Sequence, residues 1–237
     1  MPANLIKTNY IPTTFMQINL LFVLCLFFFN LTAQDIKKSK HWGIHFGYST
    51  QQTVPFHSYD YDLEQGHVLG QLRLKNYTFK KVDVQFLAEG GYYYAQHQLI
   101  NKWFTSSEFF NHFPENFHHQ MLLKKPIHQV VFHAAVEIAH YLNPKTQVFG
   151  YAAIGPMWTS QLTERLAKGF AFSDNIGVGV KFKLSKKMWL SNMVIIRHES
   201  NVNLKFPNSG HNTLGVRLGV IFNLTAPQKG VAPPSSL

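Results

Sequence analysis

From residue 40 onward the chain repeats, segment after segment, an alternation of apolar with small or polar residues at a period of two. The last such segment is the plainest. Leu214, Val216, Leu218, Val220, Phe222 and Leu224 fall on one parity, and Thr213, Gly215, Arg217, Gly219, Ile221 and Asn223 on the other. Side chains on a strand point to opposite faces in turn, so this pattern gives one greasy face and one polar or small face. The run from Phe170 repeats it, with Phe172, Ile176, Val178, Val180, Phe182 and Leu184 set against Ser173, Asn175, Gly177, Gly179, Lys181 and Lys183. Val130, Phe132, Ala134, Val136 and Ile138 form a third apolar row, opposite Gln129, His133 and Glu137. Val82, Val84, Phe86 and Ala88 form a fourth, opposite Asp83, Gln85 and Glu89, with Tyr92, Tyr93 and Tyr94 beyond it as a candidate aromatic girdle. Weaker segments at His41–Thr50, Val68–Tyr77, Gln147–Ser160 and Met188–Ser200 bring the candidate strands to eight.

The connections sort by length. Tight turns are expected near Phe79-Lys80-Lys81, Asn143-Pro144-Lys145 and Ser185-Lys186-Lys187, and long loops over Gln51–His67, Leu99–Pro126, Gln161–Lys168 and Asn201–His211. Short turns at one end, long loops at the other, an even strand number and an apolar outer band predict an eight-stranded antiparallel transmembrane β-barrel of the outer-membrane type. The competing architecture is a soluble lipocalin-like barrel with its apolar rows turned inward around a ligand. The rows opposite the apolar ones are rich in Gly, Ala and Ser, which suits a narrow lumen better than a hydrated exterior.

Residues 1–33 read as an export signal: Lys7 precedes an apolar run from Leu20 to Phe29, and Leu31-Thr32-Ala33 offers a small residue before Gln34. That run is about half the roughly 20 apolar residues a spanning helix needs. Met16 is an alternative start. The one cysteine, Cys25, lies inside this segment, so the exported chain would have no disulfide and must rely on packing or strand closure. The barrel is expected over 34–225, with a disordered Pro-containing tail over 226–237. The formal charge of +10 favours phosphate-bearing partners, and removing residues 1–33 takes away one lysine and no acid. Export turns that preference from nucleic acid toward anionic lipid.

One stretch carries a chemical signature, His198-Glu-Ser-Asn-Val-Asn-Leu-Lys-Phe-Pro-Asn-Ser-Gly-His-Asn212, between two candidate strands. His198 and Ser200 share the parity of Leu190, Val194 and Ile196, so base and nucleophile emerge together on the apolar outer face. Asn212 has the parity of Leu214 and Val216 and can be brought beside His198 by the hairpin. His198-x-Ser200-Asn201, then Leu204-Lys205, then Pro207-Asn208-x-Gly210, followed by the amphipathic last strand, resembles the lipid A 3-O-deacylase family of outer-membrane barrels. Outside this run the resemblance is one of architecture, over Lys40–Leu224.

The resemblance implies hydrolysis of the ester at the 3-position of lipid A. On that template Ser200 attacks, His198 is general base, Asn201 with a backbone N–H stabilises the oxyanion, and Asn208 shapes that hole. Lipid A or lipopolysaccharide in the outer leaflet is the implied partner, no metal or organic cofactor is implied, nucleic acid is not expected, and a homodimer is left open. Two departures stand out. Asn212 occupies the place of the acid that orients the histidine, and Asn203 that of a glycine able to adopt positive φ. Glu199 has the opposite parity and is expected in the lumen. The alternative from another class is a non-catalytic lipid-binding barrel that kept the outer groove; a third is a soluble lipid carrier.

The remaining conspicuous residues have plainer readings. His112, His118 and His119 lack partners with ligand-like spacing and read as a solvated loop. Phe104, Phe109, Phe110, Phe113 and Phe117 are expected to pack at the membrane surface or over the barrel mouth. Lys181, Lys183, Arg197 and Arg217 lie on lumen rows, where Glu89, Glu137 and Glu199 can pair with them. Arg165, Lys168 and Lys205 are placed to meet lipid A phosphates.

Overall fold

The structure, a computed structural model, describes residues 40–105, 111 and 115–224. The export signal with Cys25, the C-terminal tail, His112, Phe109, Phe110 and Phe113 lie outside the described residues. Eight strands follow one another: β1 (Lys40–Thr50), β2 (Tyr61–Phe79), β3 (Val82–Leu99), β4 (Lys125–Asn143), β5 (Thr146–Thr159), β6 (Gly169–Lys183), β7 (Met188–Ser200) and β8 (His211–Leu224). Each pairs antiparallel with the next, and β1 also pairs with β8, so the sheet closes into a barrel. His45 shows the closure within one residue, lying opposite Leu69 on β2 and Gly219 on β8. Closure satisfies the strand edges internally, as a sheet in hydrocarbon requires.

The two parities separate as the alternation predicts. The apolar rows face out: Phe46 is 60% exposed, Phe132 65% and Val178 68%. The polar rows face in, where Arg197 is 2% and Arg217 0% exposed. This is the transmembrane arrangement, and it overturns the lipocalin-like alternative, whose apolar rows would point inward. Among the described residues no helix is long and apolar enough to cross a membrane.

Charge in the lumen is paired. Lys181 meets Glu137, Arg197 lies 2.6 Å from Glu199, and Arg217 lies 3.4 Å from Glu89. Lys183 departs from the expected pairing and sits over the Trp189 ring instead. Tyr93 corrects the girdle expectation. Three consecutive tyrosines cannot share a strand face, so Tyr92 and Tyr94 face out while Tyr93, 1% exposed, turns inward beneath the Arg197 guanidinium, 3.7 Å from its ring centroid.

Close approach of β4 and β5 explains Gly155. A Cβ there would stand 1.8 Å from the Phe132 carbonyl oxygen, and the pairing ladder is interrupted between Val131↔Met157 and Ala134↔Ile154. Loop sorting holds, except that β2 starts at Tyr61 rather than Val68 and shortens the first long loop to 51–60. In the second long connection, α1 (Glu115–Met121) buries Met121 with Tyr61, Leu63, Leu99 and Ile127; Phe104, Phe117 and Phe206 pack against this cluster. Phe104 and Phe117 therefore pack at the long-loop end, and Phe206 ties the 201–210 loop to the same cluster.

Candidate active site

The end of β7 and the start of β8 hold the motif. His198 is the register partner of Asn212, and both point outward from the barrel. The His198 Nδ1–H donates to Asn212 Oδ1 at 2.7 Å, which fixes the tautomer and leaves the Nε2 lone pair free to take a proton. Ser200 is the next residue on the same outward row and lies opposite Phe172 of β6. Phe172 packs edge-on to Phe170, which pairs with Trp158 of β5. The pair thus sits level with exposed aromatic side chains of the kind that mark a membrane boundary.

The 201–210 loop is shaped by its own asparagines. A turn closes from Leu204 N–H to the Asn201 carbonyl at 3.0 Å, with Val202 at φ 55° and Asn203 at φ 61°. Positive φ at Asn203 agrees with the sequence. Val202 does not, because a β-branched residue there is strained and persists only where the surroundings dictate it. Asn201 is fully buried, and its Nδ2 donates to the carbonyls of Lys205 at 2.6 Å and Pro207 at 3.3 Å. The amide expected to serve an oxyanion is therefore turned into the loop. Asn208 Oδ1 accepts from the Asn201 N–H at 2.5 Å, and Asn208 Nδ2 donates to Asn203 Oδ1 at 2.9 Å. The Lys205 side chain is exposed.

A second loop, 160–168, grips the first. Gly210 N–H donates to the Arg165 carbonyl at 2.9 Å, and Ala167 N–H to the Pro207 carbonyl at 3.0 Å. Arg165 Nε donates to the Gly210 carbonyl at 2.5 Å and Nη2 to that of Ser209 at 3.3 Å, while its guanidinium lies over the Tyr61 and Phe104 rings. Arg165, expected to meet phosphate, is a clamp on the motif; Lys168 stays exposed. Glu164 anchors the same loop by accepting from His97 Nε2 at 3.1 Å. Burial works against the Glu164 carboxylate, but the facing His97 and Arg165 outweigh it and hold its carboxyl below the usual range. Hydrogen bonds from a charged donor contribute about 1.5 kcal/mol or more each. Arg165→Ala should therefore raise amide exchange at Gly210 and Ala167 about tenfold or more, with strand amides unchanged; equal exchange would show that the clamp carries no stability.

The sequence model of the lipid A 3-O-deacylase (PagL) family matches residues 89–220, more than half of the chain, including the whole motif. The chain belongs to the lipid A 3-O-deacylase family. The crystal structure of the outer membrane enzyme PagL is similar in fold, with a TM-score of 0.51 at 17% identity over 76% of this chain and 97% of that one. Neisserial surface protein A matches with a TM-score of 0.42 at 7% identity, over 77% of this chain and 96% of that one. The N-terminal β-barrel domain of Pseudomonas aeruginosa OprF gives 0.38 at 12% identity, over 78% and 98%. No curated protein matches the chain in sequence.

Within this deacylase-family barrel, Glu199 is 1% exposed in the lumen, where Arg197 and Gln129 engage it, so it is not near the outward face of His198. Sequence reasoning passed over Asp174. It lies on the outward parity of β6, between Phe172 and Ile176, and is the register partner of His198. A single carboxylate interrupting an otherwise apolar row was the signal that could have found it. Among the described residues, no group of three His, Cys, Asp or Glu side chains converges as metal ligands.

Proposed function

We propose that this chain is an exported outer-membrane serine esterase that hydrolyses the 3-O-linked hydroxyacyl ester of lipid A. The observation that carries the reading is the 2.7 Å bond from His198 Nδ1–H to Asn212 Oδ1, with Ser200 next on the same outward row. His198 Nε2 takes the Ser200 hydroxyl proton as Oγ bonds to the ester carbonyl carbon. The imidazolium then gives that proton to the departing 3-oxygen of the sugar as the C–O bond breaks. Water, activated by the same imidazole, hydrolyses the acyl-serine and releases a 3-hydroxy fatty acid.

The backbone N–H groups of Val202 and Asn203, which have no acceptor among the described residues, are the oxyanion donors in this reading. Asn201 and Asn208 act by shaping that turn. An ester at the boundary between sugar and acyl chain matches the depth of Phe170, Phe172 and Trp158. Toward the turn end of the same strands, Val148, Gly150, Val178, Val180 and Val194 line an outer groove of about 760 Å³, suited to an acyl chain. Lys205 and Lys168 stand at the loop surface for phosphate.

The purified protein in detergent, incubated with lipid A, should remove one 3-hydroxyacyl chain from the 3-position, read by mass spectrometry. Loss of a secondary acyl chain, or no loss, would sink the reading. The alternative, a lipid-binding barrel without catalysis, draws on Asn212, because an amide cannot offset the charge of an imidazolium.

A further inference from the structure

Asp174 is a carboxylate on the lipid-facing row of β6, whose other outward residues are Phe170, Phe172, Ile176, Val178, Val180 and Phe182. A charged group facing lipid is costly and calls for a partner. Its Oδ1 is buried and makes no hydrogen bond, so hydrogen bonding within the strand does not account for it. The register supplies the partner: β7 lies between β6 and β8, and His198 is paired with Asp174 on one side and Asn212 on the other. Directly opposed residues on neighbouring strands have Cβ atoms about 4.5–5.5 Å apart, close enough for strong charge coupling.

Resting on the esterase reading above, we propose that Asp174 is a positioning residue that supplies, from β6, the negative charge Asn212 cannot give to the His198 imidazolium. Two strands thereby divide a role that one acid would otherwise fill. Asn212 fixes the tautomer by hydrogen bonding, and Asp174 stabilises the charge across the strand pair. A carboxylate with an uncommitted oxygen in a lipid-facing wall is only weakly screened, so its field acts on the charge that appears at His198 during proton transfer.

The other charged groups around His198 are placed differently. Arg197 and Glu199, its neighbours on β7, face the lumen and pair with each other. His211 on β8 is buried on the lumen side, where Thr163 bonds its Nε2. Arg165 reaches the site only through the Gly210 and Ser209 carbonyls, and Lys205 is exposed on the loop. His133 of β4 is a lumen residue bonded to Asn175, the neighbour of Asp174 on β6.

Asp174→Asn keeps the volume and removes the charge. It should lower kcat for lipid A by about tenfold or more with little change in KM, and move the acidic limb of the pH–rate profile to lower pH, because the base loses the anion that favours its protonated form. Asn212→Glu should restore both in the Asp174→Asn background. A purely structural Asp174 would be deaf to that rescue. The wild-type arm needs no variant at Asp174: a tenfold or larger gain from Asn212→Glu alone would mean that the charge was missing, and would overturn the proposal. Titration of the His198 ring by NMR in micelles reads the coupling without turnover, and an unchanged midpoint in Asp174→Asn would overturn it as well. An inactive wild type whose His198 still responds to Asp174 would count against the esterase reading alone.

Discussion

Ser200→Ala should, on the proposed mechanism, lower release of the hydroxyacyl chain by about a thousandfold or more while leaving the barrel folded, since removing a serine nucleophile eliminates the covalent route and leaves only what binding and oxyanion stabilisation provide. Ser200 faces outward and joins none of the lumen's ion pairs, so its hydroxyl is expected to matter little to stability. The measurement is an initial rate of lipid A deacylation by mass spectrometry, beside gel mobility of the unheated protein as a check of folding. His198→Gln should lose a similar factor, and the double variant little more, because on the proposed mechanism the two residues act as one unit. A variant within tenfold of wild type would remove Ser200 from the reaction.

Glu89→Leu should cost about 3–5 kcal/mol of barrel stability, the typical penalty for stranding a buried charge. Glu89 accepts from Gln71 Nε2 at 2.9 Å, from the Tyr151 hydroxyl at 2.6 Å and from Arg217 Nη1 at 3.4 Å. Arg217 is fully buried and has no water to turn to when its carboxylate is gone. Paired with Arg217→Met, the same substitution should recover much of the loss, since removing both charges removes the stranded one. Denaturant midpoints in micelles would read the cycle. If the single and double variants were equally destabilised, packing rather than charge would be what Glu89 contributes.

Parity made most of the architecture legible. Once a strand is granted, Val178 and Lys181 must face opposite ways, and closure into a ring is the arrangement that satisfies every strand edge in a lipid environment. The same rule, followed strictly, puts Tyr93 inside and Asp174 outside, although one sits in a tyrosine triplet and the other in an otherwise apolar row. Lys183 shows a different limit. Parity gives its face, but whether it meets a carboxylate or the Trp189 ring depends on its height in the barrel.

The site divides along the same line. That His198 and Ser200 share a face follows from their spacing of two, and that Asn212 can reach His198 follows from a hairpin. What Asn201 does with its amide, and what Arg165 does with its guanidinium, depends on a loop folding back on itself and on a second loop more than thirty residues away in sequence. Such contacts have no period to read.

The stretch from His198 to Asn212 thus determined by itself the residue types and their common face, and the family match extends over residues 89–220 around it. Only the tertiary structure decided that β7 runs between β6 and β8 in a register that sets Asp174 and Asn212 on either side of His198. The reason is physical: alternation along a strand is a local property of the backbone, whereas the neighbour across a strand pair is chosen by the register of the whole closed sheet.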